Sequence, residues 1–145
     1  MQNKIRPLAL CVFLHENKIL VAEGYDQKKN QTFYRPLDGG IEFGERSDET
    51  IRREMLEELD AEVADLKYLG TFENIFVFNG QPGHEIIQVY DGRLVNPGLY
   101  EQAEMSGHEA GAGEFKVVWR SLDEFSQQIP LYPDGLLELL KIFPQ

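Results

Sequence analysis

The stretch Leu37 to Ala61, LDGGIEFGERSDETIRREMLEELDA, constrains this chain more than any other. It joins a glycine-rich turn directly to a segment of helical period. At about 100° of rotation per residue, positions i, i+3 and i+4 share roughly a third of a helix's circumference. Glu54, Glu57 and Glu58 therefore occupy one arc, and Ile51, Met55, Leu56 and Leu59 form an apolar stripe on the next, suited to burial against a sheet. The acidic arc borders the core instead of facing away from it. Like charges at i, i+4 cost about 0.2–0.5 kcal/mol, so Glu54 and Glu58 are unfavourable together without a cation. Hard divalent cations accept clustered carboxylate oxygens and bridge to substrate phosphates. Arg53, four residues before Glu57, is placed to hold that carboxylate by a charge-assisted hydrogen bond.

Glutamate-rich helices are commonly solvated faces, so the turn ahead of this one decides between the readings. Gly39, Gly40 and Gly44 permit positive φ or close backbone approach and bracket Glu42 and Glu45. With them the stretch resembles the Nudix box, G-x5-E-x7-R-E-U-x-E-E-x-G-U with U aliphatic. Gly39 matches the first glycine, Glu45 the first glutamate, Arg53 and Glu54 the R-E pair, Met55 the aliphatic position, Glu57 and Glu58 the E-E pair, and Ala61 the last position weakly. Two positions depart. Asp60 replaces the late glycine, whose use is a left-handed helix end that Asp tolerates better than most residues, so a modest stability cost with intact chemistry is expected. Asp38 stands where relatives usually have a further glycine.

The resemblance implies an α/β fold, the Nudix α/β/α sandwich with a mixed β-sheet covered by helices. It also implies hydrolysis of a nucleoside diphosphate linked to another moiety, dependent on Mg2+ or Mn2+. The metal ligands it points to are Glu54, Glu57 and Glu58, helped by the backbone carbonyl of Asp38. Arg53 would orient the glutamates and Glu45 support the junction of loop and helix. The general base is a helix glutamate or a glutamate of a later loop, where Glu109 is preferred to Glu114. Gly39, Gly40 and Arg35 are the expected substrate contacts, although for Arg35 a structural ion pair is the favoured reading over phosphate binding.

A length of 145 residues suits one domain spanning residues 1–145. The formal net charge of −11 opposes binding to long nucleic acid, whose affinity rests on basic surface, and leaves a small anionic substrate in need of a metal or a local cationic group. Cys11, the single cysteine, sits in an apolar run and reads as a core thiol. No signal-peptide pattern and no apolar run of the ~18 residues that cross a bilayer is seen, so no membrane role and a cytoplasmic location are expected. A homodimer is an admissible assembly.

Along the chain, Pro7 to His15 and Ile19 to Ala22 read as strands joined at Glu16-Asn17-Lys18, the first apolar enough to be covered on both faces. Arg6 reads as an exposed strand-end charge. Thr32 to Leu37 is a strand delivering the chain to the turn. Asp65 to Phe78 and His84 to Leu94 read as paired strands about Asn79-Gly80-Gln81-Pro82-Gly83, with Gly70 a bulge or bend. Phe72, Phe76 and Phe78 are core aromatics in preference to a base-stacking set, and His84 and Glu85 either line a pocket or are an ordinary polar pair at a turn. Val95 to Gly113 reads as one long irregular loop. Glu114 to Arg120 is a last strand, Ser121 opens a short helix, and Pro133-Asp134 starts a terminal helix with Leu136, Leu137, Leu139, Leu140 and Phe143 as its core face.

Within the resemblance, a proline some fifteen residues past the box accompanies ADP-ribose hydrolysis and a tyrosine dinucleoside polyphosphate hydrolysis. Ile75 to Phe78 contains neither, and the motif of coenzyme A hydrolysing members is absent. A nucleoside triphosphate, oxidised or not, or a nucleotide sugar stays open. The competing classes are a catalytically inactive nucleotide-binding module, which the nearly complete acidic set disfavours, and an isoprenoid diphosphate isomerase, which a hydrolase box disfavours.

Overall fold

The computed structural model describes residues 3–142. Nine strands and two helices follow in the order β1 (Ile5–Val12), β2 (Leu14–His15), β3 (Lys18–Asp26), β4 (Gln31–Arg35), β5 (Asp38–Gly40), α1 (Ser47–Leu59), β6 (Val63–Phe78), β7 (Gln81–Leu94), β8 (Glu104–Glu109), β9 (Gly113–Ser121) and α2 (Leu136–Ile142). The strands divide into two sheets. One has the order β5-β1-β7-β6 and is mixed, because β1 runs parallel to β7 while its other pairs are antiparallel. The other is antiparallel, in the order β2-β3-β9-β8 with β4 also on β3.

The apolar run after Pro7 sits at the centre, as its composition predicts. Leu8, Leu10 and Val12 enter a cluster with Ile87, Val89, Ile19, Val21 and the α2 residues Leu136 and Leu140. Ala9 and Cys11 alternate to the other face and meet Ile51 and Met55 of α1, together with Leu20, Val117 and Trp119. The two helices thus cover opposite faces of β1. Phe143, expected on the core face of the last helix, lies outside the described residues. The predicted first strand is interrupted at Phe13, where the chain passes from the mixed sheet to the antiparallel one. Glu16 and Asn17 both take positive φ, which a two-residue hairpin with the strands' own twist demands. Asn79 and Gly80 do the same between β6 and β7, so β7 begins at Gln81, earlier than expected. Near Gly70 the ladder shifts register between Tyr68 and Gly70, in keeping with the expected bulge.

Residues 95–113 are not the single irregular loop that the glycines suggested. Pro97–Tyr100 forms a 3-10 turn and Glu104–Glu109 a strand paired with β9. Long-range contacts impose this order. Tyr100 stacks on Trp119 with ring centroids 5.4 Å apart, and the Trp119 indole donates to the Leu99 carbonyl at 3.0 Å. Gly111 and Gly113, both at positive φ, serve the turn of the β8–β9 hairpin. The consequence for the site is that Glu109 ends a strand that α1 packs against. Ser121 caps a 3-10 turn at Leu122–Glu124 where a short helix was expected, and α2 starts at Leu136, after Pro133 and Asp134.

Candidate active site

Strand β5 pairs Asp38, Gly39 and Gly40 with Leu10, Ala9 and Leu8 of β1, and α1 lies across the same strands. The helix is started by local bonds: the Arg46 backbone N–H donates to Glu49 Oε1 at 2.8 Å, and the fully buried Thr50 hydroxyl donates to Glu45 Oε1 at 2.6 Å. It ends on Asp60 at φ 52° and ψ 39°, with the N–H groups of Asp60 and Ala61 on the Leu56 and Met55 carbonyls. The replacement of the late glycine thus leaves the left-handed helix end in place.

Gly39 matters through what faces it. A Cβ built there would lie 2.1 Å from Glu54 Cγ and 2.3 Å from Cδ, so the Glu54 side chain occupies space that any other residue would fill. The close approach expected of this glycine is to a glutamate of the helix. Gly40 has open space around its Cα and lends its carbonyl to Arg53 Nη2 at 3.0 Å.

Arg53 ties the turn to the helix. Its Nε donates to Glu45 Oε2 at 2.8 Å and Nη2 to Glu45 Oε1 at 3.0 Å, while Nη1 donates to Glu54 Oε1 at 2.8 Å. Glu57, the partner expected from i, i+4 spacing, is farther, at 3.4 Å. The bidentate pair decides the ranking, because it satisfies two donors at once. Hydrogen bonds from Arg53 and then Thr50 lower the Glu45 carboxyl from its ordinary 4.5 to about 2. A depressed carboxyl contributes stability that is complete above the unfolded value and is lost as pH falls through the folded one. Glu45→Gln is therefore expected to lower the melting temperature by a constant margin above about pH 5, and that margin should shrink between about pH 4.5 and 2. A margin independent of pH over that range, in melting curves of both proteins, would contradict the pairing.

The acidic arc faces cavities. One of about 490 Å³ is lined by Glu54, Glu57, Glu58, His108, Glu109 and Ala110, so Glu109 of β8 stands opposite the three helix glutamates. Glu114, the other candidate, lies across the hairpin from His108 at the start of β9. A second cavity of about 240 Å³ is lined by Glu58, Asp38, Glu109 and Arg35 together with Phe33, Phe115, Ala22 and Gly24. A larger hollow of about 590 Å³ on β8 and β9 is wide open, and none of the residues lining it comes from α1. Burial, then hydrogen bonding to Glu54 and the charges of Glu54, Asp38 and Glu109, pushes Glu58 up to about 9. Carboxylates lining one cavity call for positive charge, and an all-oxygen donor set fits a hard divalent ion. Among the described residues no three such side chains converge closely enough to enclose one.

Asp38 and Arg35 fall together. The Asp38 carboxylate accepts from Arg35 Nε at 2.5 Å, and Glu85 Oε1 accepts from Arg35 Nη2 at 3.0 Å. The ion pair foreseen as one use of Arg35 is present, and the same side chain lines the smaller cavity. Arg6 is exposed, with Glu85 at 3.6 Å. Phe72 packs on the core, Phe76 lies over Gly83 and Phe78 meets Phe33 edge-on at 5.8 Å, so none of the three lines the cavities beside α1. Phe33 and Phe115, which do, carry no period that marks them in the sequence. Each lies across a strand pair over a glycine, Gly24 and Gly107 respectively, and only this pairing reveals them.

Residues 4–140 match the model of the NUDIX domain. Among solved structures, a NUDIX hydrolase from Nitrosomonas europaea is similar with a TM-score of 0.66 at 16% identity, over 95% of this chain and 87% of that one. A MutT NUDIX hydrolase from Burkholderia pseudomallei gives 0.60 at 20% identity, over 97% and 100%. A mutator MutT protein from Bacillus halodurans gives 0.58 at 17% identity, over 94% and 80%. At these identities the structural likeness speaks for the fold.

Proposed function

The chain belongs to the Nudix family, a membership that suggests a pyrophosphohydrolase, and on that premise we propose that it hydrolyses a nucleoside diphosphate linked to another moiety with the help of Mg2+ or Mn2+. The observation that carries the proposal is the meeting of Glu54, Glu57 and Glu58 of α1 with Glu109 of β8 around one cavity. Glu54, Glu57 and Glu58, with the Asp38 carbonyl, would hold the metal. When bound, the ion would neutralise phosphoryl oxygens and favour ionisation of water, the two needs of phosphoryl transfer.

The chain's own groups do the rest. Arg53 holds Glu54 against Gly39 and anchors the turn through Glu45, so the acidic face keeps one orientation. Glu109, exposed at the end of β8, accepts the proton of the attacking water. Arg35 offers donors to the substrate's phosphates, and Gly40 keeps the turn low beside them. The second cavity, lined in part by the rings of Phe33 and Phe115, has room for a flat group attached to the diphosphate.

The test is release of phosphate or pyrophosphate from nucleoside triphosphates, nucleotide sugars, ADP-ribose and dinucleoside polyphosphates, with magnesium or manganese and with chelator. Turnover of one class that chelator abolishes is the expected result. Silence across the panel from folded protein that binds Mn2+ would replace the hydrolase with a binding module.

A further inference from the structure

Arg35, at the end of β4, is gripped on two sides of its guanidinium. Nε donates to Asp38, three residues away, and Nη2 to Glu85, which comes from β7. Nη1 has no partner among the described residues. As no fully buried side-chain nitrogen there lacks one, Nη1 is not sealed off from solvent. Among the described residues Arg35 is also the one cationic side chain lining a cavity whose other charged groups are Glu23, Asp38, Glu58 and Glu109.

Glu85 is 3% exposed and is held by three side chains. Oε1 accepts from Arg35 and from the Asn74 amide at 3.2 Å, and Oε2 faces Arg6 at 3.6 Å. Asp38 alone would fix one nitrogen and leave the guanidinium free to turn about that contact. A second carboxylate on a different nitrogen fixes its plane, and the remaining edge then has a single direction. Two arginines and two carboxylates also cancel formally, so Arg35 acts as a directed donor and adds little net charge.

We propose that Glu85 is a positioning residue: by holding Nη2 it presents the free Nη1 edge of Arg35 to a phosphoryl oxygen of the substrate, and so governs affinity for the diphosphate group. This rests on the nucleotide-hydrolase reading above. The test uses the non-hydrolysable α,β-methylene-ADP with Mg2+, its affinity measured by calorimetry in the wild type, Arg35→Ala, Glu85→Gln and the double variant, alongside Mn2+ affinity and melting temperature.

Losing a charge-assisted bond should weaken binding of the analogue about ten- to hundredfold in each single variant. The double variant should bind no more weakly than Arg35→Ala, with Mn2+ affinity within about twofold throughout. Glu85→Gln keeps an acceptor for Arg35 Nη2 but strips its charge, which weakens the grip and lowers the melting temperature, whereas the double variant recovers melting temperature without recovering affinity. Affinity that is unchanged in Glu85→Gln, that returns with melting temperature in the double variant, or that falls multiplicatively overturns the proposal. If the wild type turns nucleotides over and one of these results is found, the role of Glu85 alone is lost. If the wild type neither binds the analogue nor turns any nucleotide over, the nucleotide reading falls and takes this one with it.

Discussion

Glu57→Gln and Glu58→Gln are each expected to remain folded and to lose about a hundredfold or more in turnover of whichever diphosphate the wild type hydrolyses. Neither side chain closes a core contact: Glu57 is exposed, and Glu58 is partly buried at the edge of both cavities. What each would supply to a bound cation is a carboxylate on the arc that faces Glu109. Glutamine keeps the shape and removes the charge, so packing is retained while the electrostatic contribution goes. For Glu58 the change should not destabilise the metal-free protein, because its charged form is opposed by burial and by Glu54, Asp38 and Glu109. Steady-state rates with saturating Mg2+, Mn2+ affinity and melting temperature check this together. Full activity in both variants would refute the metal assignment, and collapse of the melting temperature would make the glutamates structural.

The box was legible because its logic is local. Glycines, an i, i+4 carboxylate pair and an apolar stripe all lie within one turn and one helix, where period and spacing translate directly into placement. Asp60 shows how far that goes: a residue that breaks the pattern still takes the αL conformation the helix end requires, as expected of Asp. The failures come where partners are distant in the chain. Residues 95–113 look irregular by composition, yet Trp119 and β9 order them from beyond the segment. Arg35 and Glu85 are 50 residues apart and give no joint signal, since their contact depends on how β4 and β7 are brought together. Spacing within a helix points Arg53 toward Glu57, whereas its shorter bonds to Glu45 run back to the turn and depend on how the turn folds against the helix. Local periodicity thus reveals the acidic face, and only the fold reveals what stands opposite it.

Gly39→Ala should be among the most damaging small substitutions in the chain. The new Cβ would sit 2.1 Å from Glu54 Cγ, a separation that non-bonded carbons do not reach, so one of the two must move. Gly39 is held in register with Ala9 of β1, a buried strand with elements on both faces, and cannot retreat without breaking that ladder. Glu54 must swing instead, away from the Arg53 Nη1 bond and out of line with Glu58. Displacements of about 1 Å at a reacting centre cost roughly a hundredfold in rate, and overpacking costs about 1–3 kcal/mol in stability. The expected result is turnover at about a hundredth of wild type, weakened Mn2+ binding and a modest fall in melting temperature. Gly40→Ala is the comparison: its Cβ meets nothing within 4 Å, so Mn2+ affinity and stability should match the wild type. If Gly39→Ala retained wild-type turnover, Glu54 would have no part in the reaction, because the only place it occupies in this fold would be filled by the methyl group.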